Sequence, residues 1–97
     1  MLSTIRLLIL DVLMPHEPSM ITLSQKISSL EGVDGVNCVL EEVDQETMSV
    51  KVTLEGSDIE FESVQGAIES CGAVIHSIDG VSTGKRRVKE VETPQDR

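Results

Sequence analysis

The sequence predicts an α+β fold of two layers, an antiparallel sheet with two helices on one face. Three observations predict it. Residues 4–13, Thr4-Ile-Arg-Leu-Leu-Ile-Leu-Asp-Val-Leu13, are apolar on both faces of a period-2 pattern, as in a strand covered on two sides. Two later segments carry apolar residues at helical spacing and stop at Gly32 and Gly72. Between those segments lie two strand-like runs joined by a polar turn, which reads as a hairpin.

Length and composition set the limits. The 97 residues suffice for one domain with a modest core. Seventeen acidic residues against eight basic ones leave a net charge of -9. That balance argues against nucleic acid, whose phosphates require a basic surface. It suits divalent cations, basic partners or plain solubility. Phe61 is the one aromatic residue, so there is no platform for stacking bases and the core is built from aliphatic side chains. The two cysteines, Cys38 and Cys71, form no CxxC and each falls on an apolar face, which reads as reduced, buried thiols. The apolar run after Arg6 is interrupted by Asp11 and followed by Pro15, too short for a membrane span and without a cleavage pattern. A cytoplasmic protein is expected.

The elements follow in order. In the first strand Ile5, Leu7, Ile9 and Leu13 share one face and Leu8, Leu10 and Val12 the other. Met14-Pro-His-Glu-Pro18 closes it with a stiff, extended connection. Met20, Leu23, Ile27 and Leu30 then recur at spacings of three and four, predicting a helix over about 19–31, with Pro18 suited to its first turn. Residues 33–43 and 48–55 predict the hairpin, with a turn at Asp44-Gln-Glu-Thr47. Met48, Val50, Val52 and Leu54 alternate with polar residues, the mark of a strand with one wet face. Gly56 breaks the strand, and Ser57 with Glu60, or Asp58 alone, offers a cap for a second helix. Phe61, Val64, Ala67 or Ile68, and Cys71 form its buried stripe. Residues 73–79 predict the last strand, and Val88 and Val91 are candidates for a short extra one.

The order strand, helix, strand, strand, helix, strand fits a ferredoxin-like sandwich, with antiparallel sheet order 4-1-3-2 and both helices on one face. It forms a single domain over 1–97, with a core over about 4–83 and a partly flexible extension over 84–97. The other sheet face is bare in a monomer. Leu8 or its neighbours, with Val39 and Val43, should leave an apolar patch there, and self-association is the expected remedy.

Few residues point to chemistry. Asp11 is a carboxylate near the end of an apolar run, His16 and Glu17 follow in the proline loop, and His76 and Asp79 lie in the last strand. Antiparallel pairing of the first and last strands brings Asp11 roughly opposite His76, so these five residues are the candidate ligands for a divalent metal, with carboxylates favouring calcium or magnesium. The alternative is structural: Asp11 caps a turn, His16 sits on a surface loop, and His76 is a hydrogen-bonded sheet histidine. No catalytic residue is predicted, because no nucleophile has an adjacent base and no phosphate loop occurs. The basic triplet at 85–87, Lys85-Arg-Arg87, either holds an anion or is simply solvated.

The strings Leu10-Asp-Val-Leu-Met-Pro-His-Glu-Pro18, Leu30-Glu-Gly-Val-Asp-Gly-Val-Asn37 and Ala67-Ile-Glu-Ser-Cys-Gly-Ala-Val-Ile-His-Ser-Ile-Asp79 together resemble an archaeal family, domain of unknown function 211. The likeness runs from about Ile5 to Pro94. It implies a ferredoxin-like fold, a homo-oligomer in ring form and divalent-cation binding, with no established activity. Gly80 stands where the pattern has an acidic residue, and Met14 where it has a lysine. Two functions are therefore expected. One is a non-enzymatic homo-oligomeric module, structural or regulatory, holding calcium, another divalent cation or a small ligand. The other is a metal-trafficking domain akin in fold to heavy-metal chaperones, although Pro-His-Glu-Pro replaces their CxxC.

Overall fold

The computed structural model describes residues 4–86, 88 and 89. The elements run β1 (Ile5–Pro15), α1 (Met20–Ser28), β2 (Val33–Val43), β3 (Thr47–Ile59), α2 (Phe61–Ser70) and β4 (Val74–Thr83). The sheet order is β2-β3-β1-β4, antiparallel throughout. This is the ferredoxin-like α+β arrangement, and β1 lies inside the sheet as its two apolar faces require.

The two faces of β1 divide as their periodicity predicts. Leu8, Leu10, Val12 and Met14 face the helices and are buried with Val50, Val52 and Leu54 of β3. Leu23 and Ile27 of α1 and Val64 and Ile68 of α2 close this core, each at 0% exposure. Ile5, Met20, Leu30, Phe61 and Ala67 pack around its margin. No buried side chain among the described residues is polar or charged. The core therefore rests on apolar burial alone, about 25 cal/mol for each Å² removed from water.

Several boundaries differ from expectation. Helix α1 begins after Ser19, whose hydroxyl accepts from the Thr22 N–H, and ends at the cap Ser29, so it is shorter than predicted. Pro18 precedes the cap, joined to Glu17 by a cis peptide bond. The third strand does not stop at Gly56. It continues through 56–58 to Ile59, because Gly56 lies against the backbone of Gly32, where a Cβ would stand 1.9 Å from the Gly32 carbonyl oxygen. Helix α2 is then capped by Glu60, whose side chain makes no capping bond to the helix. Neither Ser57 nor Asp58 is the cap. Strand β4 runs on to Thr83, and its end is tied to the start of β1 by the Gly84 N–H donating to the Thr4 carbonyl at 2.9 Å and by the Arg6 guanidinium donating to the Gly84 carbonyl. Val88 is exposed and outside any strand; Val91, like Arg87, lies outside the described residues.

The strands are long and the helices short. Nine and ten helical residues span roughly 14 and 15 Å at 1.5 Å each. Strands of 10 to 13 residues span roughly 33 to 43 Å. The helices thus leave the C-terminal ends of the edge strands β2 and β4 uncovered on their own sheet face, while Val36, Cys38 and Ile75 nearer the strand starts pack against the core. Leu40 and Val43 of β2 and Ile78 and Val81 of β4 are paired with inward-facing residues, yet all four are exposed. Val43 accordingly belongs to the helix side and Leu8 to the core. On the opposite face lie Leu7 and Ile9, the neighbours of Leu8, and Val39, opposite Lys51.

Candidate functional site

The face without helices is the surface on which the sequence placed its chemistry. On β1 it presents Leu7, Ile9, Asp11 and Leu13, opposite Glu55, Thr53, Lys51 and Ser49 of β3. Directly opposed residues of an antiparallel pair share a face, so Val39 and Asn37 of β2 and Val74, Ser77 and Gly80 of β4 join them. Leu13 is 38%, Val39 48% and Val74 52% exposed. The face is a mixed surface of scattered aliphatic side chains, with Asp11 and Lys51 at opposed positions of the ladder near its centre. Lys51 Nζ stands 3.8 Å from Glu41 Oε2, an exposed contact of little energetic weight.

The pairing register places the predicted ligands differently from the sequence reading. Asp11 pairs with Ser77, not His76. His76 is an extra residue between the Asp11–Ser77 and Val12–Ile75 pairs, and Asp79 another between the Ile9–Gly80 and Leu10–Ile78 pairs. Both are β-bulges, which leave one residue out of the ladder and re-aim its side chain. The two residues are exposed, and Asp79 Oδ1 accepts from the Ser77 hydroxyl at 2.7 Å. A bulge cannot be read from alternation, which is why the register was one residue out.

His16 and Glu17 lie elsewhere, in the exposed loop after β1. Five residues of extended chain separate Asp11 from His16, roughly 16 Å. His16 Nε2 is 2.9 Å from the Asp44 carbonyl oxygen. A carbonyl only accepts, so Nε2 carries the proton and Nδ1 is the nitrogen left for any other partner. The bond joins the proline loop to the tip of the β2–β3 hairpin. The five predicted ligands therefore fall into two places: Asp11, His76 and Asp79 around the middle of β1 and β4, and His16 and Glu17 beside the hairpin tip. Among the described residues, no three or more His, Cys, Asp or Glu side chains come together as a metal-holding group.

The remaining candidates are quickly placed. An open groove runs where the α1–β2 turn meets the start of α2; Glu31, Asp58, Glu60 and Glu62 line it with Leu30 and Phe61. Its acidity disfavours anions despite the helix N-terminus there. Both cysteines are free thiols, Cys71 buried and Cys38 half-buried. Burial pushes the Cys38 thiol up from its ordinary value, and a hydrogen bond with Ser24 works in the opposite direction. That is the signature of a packed cysteine, not a reactive one. No helix among the described residues is long and apolar enough to cross a membrane.

Residues 6–97 match the domain of unknown function 211 family, described as uncharacterised ArCR. The chain belongs to that family. It is also 49% identical over 96 residues to the uncharacterised protein MJ0319 of Methanocaldococcus jannaschii, a match covering 99% of each chain. The resemblance read from the proline-histidine-glutamate-proline and isoleucine-histidine-serine strings thus holds along the chain. Sequence reasoning missed Lys51 and Ser77 as neighbours of Asp11, and Asp44 as the partner of His16. Lys51 was discoverable as the one cation in the alternating third strand. The partnership with Asp44 depends on the backbone and left no side-chain signal.

Proposed function

We propose that this member of the domain of unknown function 211 family is a non-enzymatic homo-oligomeric module with a structural or regulatory role in the cytoplasm. The observation that carries the reading is the aliphatic surface left uncovered in one copy. Leu13, Val39 and Val74 stand on the open face and Leu40, Val43, Ile78 and Val81 on the overhanging edges, all more than a third exposed. A surface of this kind is what subunit contacts bury. Closed symmetric assembly satisfies it without leaving a free edge for aggregation. In this reading a divalent cation such as calcium, or a small ligand, is bound by carboxylates that neighbouring copies contribute together. Asp11 and Asp79 are the first candidates. The net charge of -9 supports cations over nucleic acid as ligands.

Native mass spectrometry and sedimentation velocity test the assembly. A closed homo-oligomer is expected, and a folded monomer across the micromolar range would refute it. Equilibrium dialysis with calcium, zinc and copper(I) tests the cation. Calcium bound by the assembled protein supports the reading; tight copper(I) binding alone replaces it with metal trafficking. The double variant His16→Ala/His76→Ala should leave calcium affinity unchanged, because a hard cation takes oxygen ligands.

A further inference from the structure

We propose that the acid-lined groove at the start of α2 is the seat of the chain's own basic segment, Lys85, Arg86, Val88 and Lys89, which docks there from the end of β4 of the same copy. The inference stands apart from the assembly above and needs one chain only.

The groove occupies about 810 Å³ where the α1–β2 turn meets residues 57–63. Ile5, Leu30 and Phe61 form an apolar floor, half-buried and packed on the margin of the core. Glu31, Asp58, Glu60 and Glu62 stand around that floor, each exposed. Glu60 accepts from the Ser63 hydroxyl. None of the four carboxylates has a Lys, Arg or His partner among the described residues. Such a surface selects an occupant that brings several positive charges and an aliphatic side chain together.

The chain supplies one. Four of its eight Lys and Arg residues fall within 85–89, around a single aliphatic residue, Val88. The cations of residues 4–84 are engaged elsewhere: Arg6 donates to the Gly84 carbonyl, Lys26 to the Ser70 hydroxyl, and Lys51 stands beside Glu41. Lys85, Arg86 and Lys89 are exposed and Val88 is 78% exposed, so the structure holds the segment undocked.

Position favours this occupant over a foreign one. Thr83 pairs with Ile5 and Ile5 with Ile59, so the groove begins one strand away from the end of β4. The Gly84 N–H donates to the Thr4 carbonyl and the Gly84 carbonyl accepts from Arg6, which fixes the root of the segment on either side of Ile5. Gly84 has a φ of 104°, which lets the chain turn off the strand. Neighbouring strands lie roughly 4.8 Å apart. Five extended residues reach roughly 17 Å, enough to carry Val88 across to Leu30 and Phe61. So short a tether gives an effective concentration in the millimolar range, which a free partner has to outcompete. Docked, the segment neutralises the groove and covers its floor; salt or a competing cation releases it.

Carbodiimide cross-linking of the full-length protein tests the docking. Light and heavy chains are refolded together, cross-linked and digested. Bonds joining Lys85 or Lys89 to Glu31, Asp58, Glu60 or Glu62 are expected, with both peptides of one isotope. Their yield should exceed by about tenfold the yield at Glu17 and Glu46, which flank the Pro15–Thr47 pair at the other end of the sheet, and should fall in high salt. Equal yields at the two ends overturn the proposal. Peptides that pair light with heavy at the statistical frequency also overturn it, because the occupant then comes from another copy. Two-dimensional NMR supplies a second reading on the variant Arg86→Glu/Lys89→Glu, whose changes lie outside every helix and strand. The amide signals of Gly32, Asp58, Glu62 and Ser63 should shift, and those of Asn37 and Thr53 on the open face should stay in place. Groove signals left unmoved by that charge reversal refute the docking.

Discussion

The two faces of the sheet are built from the same four strands and could hardly differ more. The face under α1 and α2 is closed: Leu8, Leu10, Val12 and Met14 of β1 are buried among residues of equal greasiness. One residue along the strand, on the other face, Asp11 and Ile9 are half-buried and Leu13 is exposed. The comparison teaches that burial on one side of β1 is complete within its own chain, whereas on the other side Leu7 alone is buried and Ile9, Asp11 and Leu13 keep part of their surface in water. Stability of the fold belongs to the first face.

The largest effect that separates them is a carboxylate placed on each in turn. Leu10→Asp buries an uncompensated charge at a 0% exposed position, and should cost more than about 4 kcal/mol and unfold most of the protein. Leu13→Asp lies in the same strand at 38% exposure, and should cost under about 1.5 kcal/mol in a dilute monomer. Urea denaturation by circular dichroism checks both. Similar midpoints for the two variants would mean that the faces are not distinct.

Glycines repeat the contrast on a smaller scale. A Cβ at Gly56 would meet the Gly32 carbonyl oxygen at 1.9 Å and the Val33 Cα at 3.0 Å, all backbone, so the joint between the α1–β2 turn and β3 must open to admit it. Gly56→Ala should lose about 3 kcal/mol, in line with other overpacked sites. At Gly80, on the open face, the added Cβ meets Ile9 Cδ1 at 3.1 Å, the far end of a side chain that can turn away. Gly80→Ala should therefore stay within about 1 kcal/mol of wild type, and the better strand propensity of alanine works in its favour. Melting temperatures of the two single variants, compared at one concentration, read the difference directly.

Most of the fold was legible because hydrophobic period reports burial and burial orders the elements. The double-faced β1, the alternating β3 and the stripes through Leu23–Ile27 and Val64–Ile68 all stand where their spacing put them. What escaped depends on backbone geometry and not on side-chain pattern. Gly56 looked like a stop because glycine usually ends a strand, yet here it is required by the close approach of Gly32, and β3 continues. The bulges at His76 and Asp79 shift register by one residue each, and a one-residue slip changes which side chains are neighbours. Asp11, expected roughly opposite His76, thus pairs with the residue beside it, Ser77.

The finest distinction lies on the closed face itself, between its interior and its rim, and the two cysteines mark it. Cys71 is 2% exposed at the end of α2, whereas Cys38 on β2 is half-buried, beside the partly covered edge. Alkylation goes through the thiolate, so its rate follows both access and the thiol's acidity. Burial holds the Cys38 thiol above its ordinary value. At neutral pH its thiolate fraction is therefore below that of a free cysteine, and its rate should climb about tenfold per pH unit past the point where a free thiol has levelled off. Mass spectrometry of iodoacetamide-treated native protein should show Cys38 modified first and more slowly than glutathione in the same tube. Cys71 should react only on the timescale on which α2 opens. Equal rates at the two positions would mean that α1 leaves β2 as firmly sealed as α2 leaves its own C-terminus, and that the closed face has no rim.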